Sequence, residues 1–149
     1  MSNIVGMNLT DIDATALFAV GQVGETDDGN RYRYVKYDAA TAAVDGVAGE
    51  VAGYLAILGN TFVVTSDVSD CNGIGAGVLQ AALTDGTYGW VQISGPATLS
   101  IALTAGADGN ALTLVGAGDG TLDVSGLVTD YICAVADDVS AKTIMCCFP

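Results

Sequence analysis

The heptapeptide Arg31-Tyr32-Arg33-Tyr34-Val35-Lys36-Tyr37 sets Tyr32 and Tyr34 against Arg31 and Arg33 in strict alternation. A period of two marks a strand, because successive side chains of extended backbone point to opposite faces. Aromatic and β-branched residues fit that pleated surface. The run lies between Asp28-Gly29 upstream and Asp45-Gly46 downstream. Such pairs suit tight hairpins, since both central residues tolerate positive φ.

The same punctuation continues along the chain. Turn signals stand at Gly59-Asn60, Asn72-Gly73, Asp85-Gly86, Ser94-Gly95-Pro96, Asp108-Gly109, Asp119-Gly120 and Ser125-Gly126. Most gaps are about ten residues, the spacing of a sandwich or barrel. Strand-like runs fill them at residues 15–20, 61–65, 88–93, 98–103, 111–115, 121–124, 131–135 and 143–148. In residues 88–93, Trp90 and Gln92 share one side and Val91 and Ile93 the other. In residues 98–103, Leu99, Ile101 and Leu103 alternate with Thr98, Ser100 and Ala102, which predicts a half-buried strand. Helix signals are weak. Residues 78–83 read as one helical turn or a strand, and residues 39–44 as a short helix. The expectation is an all-β, compact single domain, a β-sandwich or β-barrel of short antiparallel strands. Residues 1–14 place single apolar residues among polar ones and read as an extended N-terminal arm, ahead of a β-domain at 15–149.

Charge narrows the function classes. The 149 residues hold 4 Lys plus Arg, 17 Asp plus Glu and no His, a net charge of −13. Nucleic-acid binding works by neutralising phosphates, for which this balance gives no footing. Anionic membrane surfaces are disfavoured likewise. Lack of histidine removes His-based nucleophile systems and His-ligated metals. Hydrophobic residues make up 51% and charged residues 14%, the reverse of an acidic disordered chain. The N-terminus lacks a basic region followed by an apolar run, and residues 86–107 are broken by Gly, Ser, Gln and Pro. The expectation is a soluble protein of a cytoplasm.

Several features offer chemistry, and each has a plainer reading. Cys71, Cys133, Cys146 and Cys147 include no Cys-x-x-Cys pair and read as reduced thiols, with Cys146 and Cys147 on opposite strand faces. Gly73-x-Gly75-x-Gly77 lacks the Lys-Ser/Thr of a phosphate loop and reads as a flexible or bulged loop. Asp108-Gly109-Asn110, residues 116–120 and Asp27/Asp28/Asn30 fall short of calcium loops and read as turns. The pairs Asp11/Asp13, Asp27/Asp28 and Asp137/Asp138 lack an orienting partner for hydrolysis and read as solvated surface. No catalytic residue, metal or cofactor is expected. Arg31, Arg33 and Lys36 either neutralise Asp27, Asp28 and Asp38 or form a small positive island for an acidic partner. Tyr88 and Trp90 read as core or interface aromatics, with Gly89 allowing close approach.

The order of these features is an apolar stretch ending in Gly21, the Asp28-Gly29 turn, Tyr32 and Tyr34-Val35, and a Gly-rich middle. Then come Tyr88-Gly89-Trp90-Val91-Gln92 with Gly95, and short Gly-spaced strands to a hydrophobic end. It resembles the small capsid decoration (cement) proteins of tailed bacteriophages from about Phe18 onward, with the Tyr-Gly-Trp-Val-Gln run as the specific element. The resemblance implies a non-enzymatic protein on the outer surface of the virion head, made in the bacterial cytoplasm. It would bind the expanded icosahedral shell, often as a trimer, and stabilise the major-capsid-protein lattice by bridging subunits. It carries over no binding residues. From the chain itself, the expected capsid contacts are Ile4, Val5, Met7 and Leu9 of the arm, through strand addition, and Arg31 and Arg33. The alternatives are another virion module (head-fibre base, tail tube or tail fibre), a carbohydrate-binding sandwich stacking sugar on an exposed Trp90 or Tyr88, and a hydrolase using Asp pairs.

Overall fold

The computed structural model describes residues 6–55 and 62–149. Ten strands lie among the described residues: β1 (Val23–Glu25), β2 (Arg31–Tyr37), β3 (Val51–Leu55), β4 (Val63–Thr65), β5 (Cys71–Leu79), β6 (Tyr88–Thr98), β7 (Ala111–Thr113), β8 (Asp123–Val124), β9 (Ile132–Asp138) and β10 (Thr143–Cys147). One turn of 3-10 helix, Val68–Asp70, is capped by Asp67, whose carboxylate accepts from the Ser69 amide. The all-β expectation holds, and the barrel alternative is the one adopted.

Five strands close the barrel in the order β2-β4-β3-β5-β6, with β6 returning to β2. Closure removes the open edges that an isolated sheet would expose. All its pairings are antiparallel except β2 with β4. The inward faces of β2 and β6 contribute Val35, Tyr37, Val91 and Ile93 to the main core. Tyr37 donates from its hydroxyl to the Val44 carbonyl at 2.7 Å, which satisfies a buried phenol.

Strand β6 has eleven residues, and the barrel uses only the first part. Tyr88 to Ser94 pair with β2, while Ser94 to Thr98 pair with β10. The second half thus starts an outer sheet in the order β6-β10-β9-β7-β8. The Ser94-Gly95-Pro96 turn signal is therefore no turn. It lies at the passage from barrel to outer sheet, where Gly95 takes φ +97°. The inner face of the outer sheet joins the same core through Cys146, Ala134 and Leu112, which lie opposite one another on three strands.

Four local expectations are overturned by long-range packing. Gly73-x-Gly75-x-Gly77 is not a loop but the middle of β5. A Cβ on Gly75 would fall 2.8 Å from the Phe148 ring and 3.0 Å from Cys133 Sγ, so the bare backbone makes room for the outer sheet. Thr98 closes β6, and residues 99–103 form no strand. Leu99 donates to Lys142 and Ser100 to Gly49, so neighbouring residues bond to different segments. Residues 15–20 are likewise irregular, as are 39–44, which form turns. In residues 78–83 strand β5 ends at Leu79 and no helix follows. The Gly59-Asn60 turn and Thr61 lie outside the described residues.

Candidate functional site

Three regions bear on function: the N-terminal segment, the arginine end of the barrel, and the outer sheet. The N-terminal segment lies against its own domain. Asp13 and Tyr88 exchange two backbone hydrogen bonds of 2.9 Å, and Gly21 donates to the Tyr34 carbonyl at 2.7 Å. This lays the segment over the outward face of β2 and β6, where alternation puts Tyr32, Tyr34 and Trp90. Those three form a second core, with Met7, Leu9, Phe18 and Tyr88 packed against it. Phe18 meets Tyr34 edge-on at 5.3 Å and Trp90 at 5.4 Å. Such aromatic pairs each contribute about 0.5–1.5 kcal/mol beyond area burial. The Tyr34 hydroxyl donates to Asp13 Oδ2 at 2.5 Å and accepts from the Leu17 amide at 3.3 Å. Burial, reinforced by the Asp13 carboxylate, pushes the Tyr34 pKa up to about 12.

The expected capsid contacts therefore divide. Met7 and Leu9 are half-buried on the chain's own aromatic cluster. Part of their apolar surface is therefore already used within the chain. Ile4 and Val5 lie outside the described residues. Trp90 is only 1% exposed, so it offers no platform for stacking a sugar.

The arginines are also engaged. Arg33 shares a face with Val35 and Tyr37, which puts it at one end of the barrel interior. Its Nη1 donates to the Tyr54 hydroxyl at 3.0 Å and to the Pro149 carbonyl, and its guanidinium lies 5.3 Å from the centre of the Phe62 ring. Arg31 is half-buried beside it. Both guanidinium-bearing side chains are thus half-buried rather than fully exposed. Asp28 instead serves its own turn, accepting from Thr26 and Asn30, and those bonds hold its carboxyl below the usual range.

The other acidic loops show the same local chemistry. Asp119 accepts from the Val68 amide, Asp108 from the Val139 amide, and Asp138 from Ser140 and Ala141. Among the described residues no three acidic or thiol side chains are grouped to hold a metal. Burial pushes Cys71, Cys133 and Cys146 up to about 12, away from thiolate chemistry. A shallow pocket of about 390 Å³ lies between Gly49, Gln80, Gln92 and Pro96. Its two amides are occupied locally: Gln92 Nε2 donates to the Pro96 carbonyl at 2.8 Å and Gln80 Nε2 to Val78 at 3.0 Å.

The outer sheet is different. Pro96, Met145, Val135 and Ala111 are successive register partners across β6, β10, β9 and β7. Directly opposed residues share a face. All four are exposed, Met145 by 48% and Val135 by 39%. The row one residue away, Cys146, Ala134 and Leu112, is buried, so the pleat fixes which face is bare. Beyond the start of β9, a short loop displays Leu127 and Val128, the latter fully exposed. Asp130 holds that loop by accepting from Ser125 Oγ and from the Gly126 and Leu127 amides at 2.9–3.2 Å. Sequence reasoning missed this surface. Residues 131–135 were legible as a strand, but a bulge in the pairing of β9 with β7 brings Ile132 and Val135 both outward. No family model, curated protein or solved structure matches the chain.

Proposed function

We propose that the protein is a capsid decoration protein of a tailed bacteriophage. In this reading it binds the outside of the expanded head and bridges neighbouring major-capsid subunits. It acts by adhesion and carries no enzymatic activity. The observation that supports it best is the apolar row Pro96–Met145–Val135–Ala111, uncovered on an otherwise strongly acidic chain. Contiguous exposed apolar surface on a soluble domain marks an interaction site. The perturbed carboxylates and thiols serve turns and the core, which is the economy of a rigid binding module. The order of elements around Tyr88-Gly89-Trp90-Val91-Gln92 supports the same assignment, and with it a trimer.

The test is co-sedimentation with expanded heads of the phage that encodes the chain. The protein should pellet with expanded heads and raise the temperature at which they rupture. Absence from the pellet at micromolar concentration would remove the assignment.

A further inference from the structure

We propose that the bare face of the outer sheet is the docking surface, and that it fits a protein surface with an apolar centre and a basic rim. The inference rests on the decoration reading and takes the outer face of the head lattice as that partner. It relocates the contact from the N-terminal segment, whose Met7 and Leu9 are already packed against the aromatic cluster.

The first argument is preorganisation. The apolar row sits on four hydrogen-bonded strands whose other face is buried core. The adjoining Leu127–Val128 loop is held by three hydrogen bonds to Asp130. Docking therefore orders little that is not already ordered, and loop and side-chain ordering is a main cost of association.

Charge complementarity decides the occupant. The exposed apolar positions of β9, Ile132 and Val135, are bracketed by Asp130 before the strand and Asp137 and Asp138 at its end. Asp123 stands on β8, the strand at the end of the outer sheet. Lys142, in the β9–β10 turn, directs its ammonium to the Ser100 carbonyl at 3.3 Å. A second copy placed on this face would bring the same acidic rim against it. Like-charge juxtaposition suppresses such pairing, whereas Lys or Arg at the rim of a partner steers it in. The surface is thus built for a different protein, and any trimer uses other faces.

The test compares three variants in the head-pelleting assay, each checked for folding by circular dichroism. Val135→Lys combined with Met145→Lys changes two already exposed side chains and should weaken binding at least tenfold. Val128→Lys, at a fully exposed position that cannot disturb the core, should weaken it in the same direction. Leu17→Lys, on the exposed N-terminal segment, should bind as the unaltered protein does. Binding of the unaltered protein should also weaken as salt rises from 50 to 500 mM. If the unaltered protein pellets with heads and the first two variants do so equally well, the docking surface is wrong while the decoration reading stands. If the unaltered protein does not pellet, both fall. Sedimentation velocity of the free protein covers the remaining case. Self-association abolished by the double lysine variant would show a second copy on this face and overturn the proposal.

Discussion

Strands β2 and β6 within the barrel and strands β9 and β10 of the outer sheet come from the same antiparallel grammar but end differently. The barrel strands are buried on both sides: Val35, Tyr37 and Val91 face inward, and Tyr32, Tyr34 and Trp90 face outward beneath the N-terminal segment. The outer strands bury one face, through Cys146, Ala134 and Leu112, and leave Met145, Val135 and Ala111 uncovered. The chain has a segment with which to cover an apolar face, and it uses that segment on the barrel. A face left bare beside one so thoroughly covered marks the division between what holds the fold and what is available to a partner.

The sharpest way to break this comparison is to truncate the barrel's outward face. Trp90→Ala should cost about 3–5 kcal/mol, the range for a large buried aromatic. Urea denaturation followed by circular dichroism would measure it, and a loss below 1 kcal/mol would mean the second core contributes little. Tyr34→Phe is a finer cut, removing a hydroxyl that bonds Asp13 and Leu17, and should cost about 1–2 kcal/mol. It also changes the alkaline limb. The Tyr34 pKa rises from 10.0 to about 12 on folding. Its stabilising contribution is therefore complete below pH 10 and lost as pH rises from there toward 12. The buried thiols, raised from 9.0 to about 12, weaken the fold over an overlapping window, but they do so in both proteins. The stability difference between the unaltered protein and Tyr34→Phe should shrink between pH 10 and 12. A difference that stays constant would show that the hydroxyl does not titrate with folding. Smallest of all, Met145→Ala on the bare face should change stability by less than about 0.5 kcal/mol. A larger loss by the same denaturation would show that the face is packed rather than free.

The sequence revealed most where pattern and partner coincide. Residues 31–37 form β2 with the boundaries their alternation predicts, because β2 is flanked along its length by β6 on one side and by β1, Gly21–Gln22 and β4 on the other. Residues 98–103 alternate just as cleanly, yet beyond Thr98, the end of β6, they form no strand. Alternation describes the chain, whereas a strand also needs one neighbour that runs beside it, and here Leu99 bonds to Lys142 and the next residue, Ser100, to Gly49. Gly75 looked like a loop residue because the Phe148 ring that needs its empty space lies far along the chain. The apolar character of Met7 and Leu9 was visible, but not that Tyr32, Tyr34 and Trp90 would supply the surface that takes them. Alternation puts Arg31 and Arg33 on one strand face, yet nothing local shows that Tyr54, Phe62 and Pro149 gather around Arg33. Val135 and Met145 sit in runs read as strands, and only the register across four strands lines them up with Pro96 and Ala111.

Strand β6 belongs to both sheets without a break, from Tyr88 in the barrel to Thr98 beside β10. The consequence is mechanical. A pull on the outer sheet passes into the barrel along a continuous covalent strand, and much of it falls on the rungs joining β6 to β2 and β10. Rungs loaded along the strand direction share the force, whereas those at a peeled edge give way singly.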